Sequence, residues 1–157
     1  MDVKITQEQA VTQQLRIIFK AVQAHSKTVE KACGLSSAQL WMLYEVSVAP
    51  GVKVSQLAKT LAIHPSTCSN MLDKLELKGL ISRDRSKTDQ RSVHLFITDM
   101  GGELLKNAPV PPQGKLSEAL DRLSVEQIDQ LQSGLEGLIS CLHVKEDNQG
   151  LIPIPSE

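Results

Sequence analysis

Apolar residues recur at alternating three- and four-residue steps along most of the chain and fall into strict alternation in one short stretch. The first helical run puts Val11, Leu15, Ile18, Val22 and Val29 on one stripe, with His25 among them. It opens at Thr6-Gln7-Glu8-Gln9, which has the form of a capping box, and Gly34 is a natural stop. A second helix has a stronger start at Ser36-Ser37-Ala38-Gln39, with Leu35 and Leu40 spaced as a hydrophobic staple. It directs Leu40, Leu43, Tyr44 and Val48 inward and ends at Pro50-Gly51. Ser55 opens a short helix that presents Leu57, Ala58 and Leu61 to a core. Pro65 suits the first position of the next helix, where its missing N–H would have no partner in any case. The apolar stripe of that helix is Cys68, Met71, Leu72 and Leu75, and Gly79 closes it.

After Gly79 the period changes from helix to strand. Ile81, Arg83 and Arg85 alternate with Ser82 and Asp84, and Val93, Leu95 and Ile97 alternate with Ser92, His94 and Phe96. The polar loop 86–90 between them makes a β-hairpin with a long charged tip. Thr98 then caps a helix through Met100, Leu104 and Leu105, which Pro109-Val110-Pro111-Pro112 must break. The last helix begins at a third capping box, Ser124-Val125-Glu126-Gln127, and lines up Ile128, Leu131, Leu135, Leu138 and Leu142 as a seam that wants a partner. The expected fold is mainly α with a small β-hairpin.

Composition narrows the class. Aromatics are only 3% of 157 residues, which suits leucine-rich helical packing and fits poorly with a many-stranded sandwich. No apolar run approaches the ~18 residues of a membrane span, and the N-terminus lacks a signal-peptide pattern, so a cytoplasmic protein without membrane association is expected. Cys33, Cys68 and Cys141 are widely spaced with no CxxC pair, and no second His or Cys stands at ligand spacing from His25. Neither a disulfide framework nor a metal site is suggested, and no cofactor is expected. No P-loop, GxGxxG, HExxH or GxSxG pattern appears, so an enzyme is not expected.

Charge adds the decisive asymmetry. The net charge is -1, yet residues 53–91 carry eight Lys or Arg against four acids, so that segment is +4 and the remainder is -5. The positive third of the chain coincides with the order short helix, turn, helix and charged hairpin between Val54 and Thr98. That order is a winged helix-turn-helix. A B-DNA major groove about 12 Å wide admits one helix, and a basic hairpin beside it reaches phosphates or the minor groove. On this reading Ser66, Thr67, Ser69, Asn70 and Lys74 meet the groove, while Arg83, Arg85, Lys87 and Arg91 serve the backbone and the wing tip.

The same stretch resembles the multiple-antibiotic-resistance regulator (MarR) family. The resemblance rests on the run from Ser55 to Asp84, then Asp89-Gln90-Arg91, the apolar strand Val93 to Ile97, Thr98 and Gly101. It implies that Asp89 and Arg91 fix the wing, with Arg91 entering the minor groove, and that the first and last helices intertwine in a homodimer. It also implies a small-molecule pocket near the second helix, which makes Trp41 and Tyr44 candidate effector contacts. Gln90 stands where the family often has Arg, and Leu77 is less hydrophilic than usual for its face. The implied organisation is a dimerisation region at 1–34 and 100–145, a winged helix-turn-helix at 35–99 and a tail at 146–157. Val11, Leu15, Ile18, Leu131, Leu135, Leu138 and Leu142 are the expected interface residues.

The expected function is a ligand-responsive transcription repressor that binds a pseudo-palindromic operator on double-stranded DNA as a homodimer. Two alternatives stand beside it. One is a regulator switched by oxidation of Cys33 or Cys141, and the other is a winged-helix interaction module that touches no DNA.

Overall fold

The computed structural model describes residues 3–85, 92–142 and 150–153. Its elements run α1 (Val3–Cys33), α2 (Ser37–Val48), β1 (Val52–Lys53), α3 (Val54–Leu61), α4 (Pro65–Leu77), β2 (Ile81–Arg85), β3 (Val93–Ile97), α5 (Asp99–Lys106), α6 (Lys115–Asp121) and α7 (Val125–Cys141).

The helix starts follow local chemistry. Ser36 Oγ accepts the Gln39 N–H at 3.1 Å while Gln39 Oε1 accepts the Ser36 N–H at 3.0 Å, a complete capping box. Ser124 and Gln127 repeat the arrangement at the start of α7. Each such cap stabilises its helix by about 1 kcal/mol relative to alanine. The box at Thr6 is not used: α1 is already helical at Val3, because nothing in the residues before Thr6 interrupts it. Lys53, not Ser55, caps α3, its N–H donating to Gln56 Oε1 at 3.1 Å.

The short turn between α3 and α4 is closed by Ala62, whose φ of +55 lies in the left-handed region. Its N–H reaches back to the Lys59 carbonyl, and the Ile63 N–H reaches the Ala58 carbonyl. Pro65 then occupies the first turn of α4 as the sequence implies.

One core holds α2, α3, α4 and the sheet together. Leu35, Met42, Leu43, Val46, Leu57, Leu61, Cys68, Leu72, Leu75, Leu80, Ile81 and Leu95 are all buried in it. Met42 and Val46 take the inward face of α2, whereas Val48, expected inward, is 55% exposed. At 100° per residue, position 48 has rotated away from the stripe that 42, 43 and 46 define.

The sheet is antiparallel in the order β1-β3-β2. Ile81 pairs with Ile97, Arg85 with Val93 and Val52 with Leu95. Strand β1 and helix α6 have no counterpart in the sequence reading. A two-residue strand carries no alternation to detect, and α6 follows a proline-rich break in only seven residues. Gly51, at φ +83, turns the chain into β1, donating its N–H to the Leu95 carbonyl and placing its own carbonyl 2.9 Å from His94 Nδ1.

The root of the hairpin is latched by Thr98. Its hydroxyl donates to the Gly79 carbonyl at 2.7 Å and accepts the Gly101 N–H at 3.1 Å, and its own N–H donates to the Leu80 carbonyl. Gly101 lies so close to that Leu80 carbonyl that a Cβ there has no room. The Thr and Gly that follow the hairpin therefore clamp α5 onto the strand entry.

Outside this head the chain is open. Helix α1, 31 residues and so about 45 Å long, buries His25, Ser26 and Val29 near its C-terminal end and exposes most of the rest. Helix α6 lies along α1, and among the described residues α7 packs substantially on no other element.

Candidate nucleic-acid interface

Helix α4 is held from behind. Cys68, Leu72 and Leu75 are fully buried, so the opposite face of the helix is fixed outward. Ser66, Asn70 and Lys74 on that side are exposed, Thr67 and Ser69 are half-buried, and Leu77 at the far end is 87% exposed. His64 precedes the helix without a side-chain cap, leaving the positive end of its backbone dipoles free of an anionic partner from its own side chain.

Arg83 of β2 behaves differently from the expectation that it serves the DNA backbone. Its side chain is only 15% exposed, Nη1 lies 2.8 Å from Asp73 Oδ1, and Nη2 donates to the Ser69 carbonyl at 3.1 Å. Nε is buried without a partner. The guanidinium is thus spent on α4 itself, tying strand to helix and neutralising Asp73, the acid nearest the exposed polar face. Arg85, two residues further along β2 and so on the same side, is exposed. Lys87, Asp89 and Arg91 lie outside the described residues, as does Gln90.

The signal for the clamp was in the sequence. An acid on a helix face expected to meet a polyanion calls for a nearby cation, but only the fold shows which of the eight basic residues at 53–91 supplies it.

Burial decides the chemistry of the cysteines. The Cys68 thiol is pushed up to about 11 by burial, the charge of Arg83 offsetting only part of the effect, and its Sγ faces the Val54 carbonyl. It stays protonated at neutral pH and packs as a small apolar group. Burial also pushes the Cys33 thiol up, which makes its thiolate scarce, whereas Cys141 is exposed.

Trp41 packs partly against the core and donates its Nε1–H to Glu45 Oε1 at 3.1 Å, and Tyr44 is half-buried one residue before that glutamate. His25 is 5% exposed: a hydrogen bond to the Pro111 backbone engages its ring, while Nε2 is buried with no partner. Burial first and the Lys115 ammonium second hold its pKa below the usual histidine value. No group of His, Cys, Asp or Glu among the described residues is arranged to hold a metal ion, and no described helix is long and apolar enough to cross a membrane.

Apolar side chains dominate a second surface. Val11, Leu15, Ile18 and Phe19 on α1 are 40–54% exposed, and Leu131, Leu135, Leu138 and Leu142 on α7 are 38–62% exposed. Between α1 and α6 a groove of about 510 Å³ is lined by Thr12, Leu15, Arg16, Ile18, Phe19, Val22 and Leu116.

Known proteins place this architecture. The chain is 32% identical over 87 residues to the HTH-type transcriptional repressor MdtR of Bacillus subtilis and 37% identical over 92 residues to the organic hydroperoxide resistance transcriptional regulator of the same organism. These alignments cover 55% and 59% of the chain, and the chain spans only 56% and 61% of the two regulators' own lengths. The crystal structure of Streptococcus pneumoniae FabT in complex with DNA is similar over 86% of this chain and 96% of that one, with 28% identity and a TM-score of 0.56. Residues 35–93, from the start of α2 into β3, match the MarR family itself. Over that stretch the chain is similar to the MarR family, and the winged-helix fold around it extends the likeness to nearly the whole of FabT.

Proposed function

We propose that this protein is a transcription regulator that binds double-stranded DNA as a homodimer in the cytoplasm. The observation that carries the reading is the two-sidedness of α4: Cys68, Leu72 and Leu75 are fully buried, while Ser66, Asn70 and Lys74 stand uncovered on the other side. Small polar side chains and a lysine on an open helix suit base edges and phosphates. FabT, similar in fold along nearly its whole length, was solved with DNA.

In this reading Thr67 and Ser69 flank the contact face, and Arg85, Lys87, Asp89 and Arg91 belong to the wing. Arg83 acts from behind, as a positioning residue. The head at 35–99 is then the DNA-binding unit, and 1–34 with 100–145 form the dimerisation region. A second copy covers Val11, Leu15 and Ile18 of α1 and Leu131, Leu135, Leu138 and Leu142 of α7, since among the described residues these apolar seams stay largely exposed. Two heads would then meet half-sites about 34–36 Å apart. Repression relieved by a small-molecule effector near Trp41 and Tyr44 completes the proposal.

The test is to select bound sequences from a random duplex pool and to titrate the winning site at several salt concentrations. The logarithm of affinity should fall with the logarithm of salt by roughly 0.9 per phosphate contacted. Asn70→Ala should change base preference at one position per half-site and leave that slope in place. A protein that retains no duplex at low salt is not a DNA-binding regulator.

A further inference from the structure

Residues 150–153, near the C-terminus, lie against the start of α4. The His64 backbone N–H, at the cap of the helix, donates to the Leu151 carbonyl at 3.1 Å. Nothing in the local sequence requires this contact: the partners are 87 residues apart, and Gly150 to Pro153 form their own short turn there. Leu151 is 38% exposed and Ile152 50% exposed, so it is the backbone contact, not burial of side chains, that ties the segment to the helix.

The position matters because a recognition helix enters the major groove with its N-terminal residues leading. His64 stands immediately before Pro65 and two residues before the exposed Ser66, which opens the polar face. A backbone carbonyl bonded to the His64 N–H occupies the place where a DNA strand would approach that end. It also fills one donor of a helix terminus that otherwise favours anionic oxygen. Residues 143–157 carry one Lys and three acids, so the segment that delivers the carbonyl is itself negative, as DNA is.

We propose that the C-terminal segment around Leu151 is an autoinhibitory strap that competes with DNA for the entry end of the recognition helix. This rests on the DNA-binding reading above and adds to it an intramolecular regulation of the same site. The strap raises the threshold for DNA binding, and whatever draws the segment away from His64 lowers it.

The experiment compares the full chain with a form ending at Leu142, both shown to be folded by circular dichroism and of equal oligomeric state by sedimentation. Hydrogen exchange at the His64 amide reads the contact without DNA, and it should be slower in the full chain. Duplex affinity for the selected site, at one salt concentration, should rise roughly 3- to 10-fold on truncation, the range that loss of one competing net hydrogen bond gives. The full-length Leu151→Gly/Ile152→Gly variant should show part of the same gain, and a peptide of residues 143–157 added to the truncated form should reverse it. Equal exchange at His64 in both forms, or equal or weaker DNA binding after truncation, overturns the strap while leaving DNA binding intact. A gain produced by Glu146→Gln/Asp147→Asn and not by the Leu151/Ile152 change also overturns it, because the tail would then act only through its charge. No duplex binding by either form removes the DNA-binding reading and the strap with it.

Discussion

The head and the arms of this molecule use the same residue, leucine, to opposite ends. In the head, Leu43, Leu57, Leu72, Leu75 and Leu95 are at most 1% exposed, and they join in one core with residues of α2, α3, α4 and the sheet. In the arms, Leu15, Leu131, Leu135 and Leu138 keep 38–40% of their surface in solvent, on helices that, like most in proteins, draw their stability from packing of an apolar face. The head is a fold that one chain completes. The arms leave their seams exposed, and it is this exposure, more than the sequence periodicity, on which the proposed dimer rests.

Paired substitutions break this comparison most sharply. Leu72→Ala removes a fully buried side chain and should lower stability by about 2–5 kcal/mol in urea, by the same amount at every protein concentration. Leu135→Asp, at a half-exposed seam position, should leave the head folded but shift sedimentation to the monomer and reduce operator affinity by two orders of magnitude or more, roughly the advantage lost when two half-sites are no longer engaged together. If Leu135→Asp remains dimeric, α7 is not the interface. If Leu72→Ala becomes sensitive to dilution, the head is not self-sufficient.

A smaller effect is expected at the junction of helix and wing. Arg83→Ala leaves Asp73 and the Ser69 carbonyl without their cation, and should lower stability by about 1–3 kcal/mol. If α4 meets DNA as proposed, Asp73 then faces the duplex uncompensated, and DNA affinity should fall by more than the unfolding accounts for. Arg83→Ala/Asp73→Ala should recover much of that affinity, as a positioning role requires. Recovery does not follow if Arg83 contacts phosphate directly, in which case the double variant binds as weakly as the single one.

The head was legible because its signals are local. Ser36 and Thr98 each sit three residues before the N–H they accept, and Pro65 defines a helix start by its own ring. The stripe Cys68, Leu72 and Leu75 follows from helical geometry alone. What the sequence hid is what depends on distant partners. Val48 carries the right residue type and faces solvent, because the axis of α2 relative to the core decides which of two adjacent stripes is inside. Arg83 reads as a wing cation until the strand is laid against α4. Leu151 meeting His64 joins residues 87 positions apart, and no periodicity announces it.

His25 sharpens the boundary between the two regions, because it belongs to an arm but is buried where α1 turns toward the head. As a position on the α1 stripe it read as a core residue, and it is one, though only half satisfied. Its ring is engaged by the Pro111 carbonyl, and Nε2 is buried without a partner. The neutral ring fits there. The imidazolium does not, since its second N–H would find no acceptor and would sit near the Lys115 ammonium. The folded-state pKa is therefore lowered below the unfolded value of about 6.5. Above that unfolded value both states hold the ring neutral, and the site contributes its full stability. As pH falls below about 6.5 the unfolded chain takes up the proton first, so stability declines, and the decline ends once pH has passed the lower folded-state value. Urea unfolding at pH 7.5 and pH 5 should therefore show a loss of stability on acidification that is smaller in His25→Gln, which has no proton to gain. An equal loss in both proteins would mean that the acid response lies elsewhere, and that the junction of α1 with the head tolerates a charge.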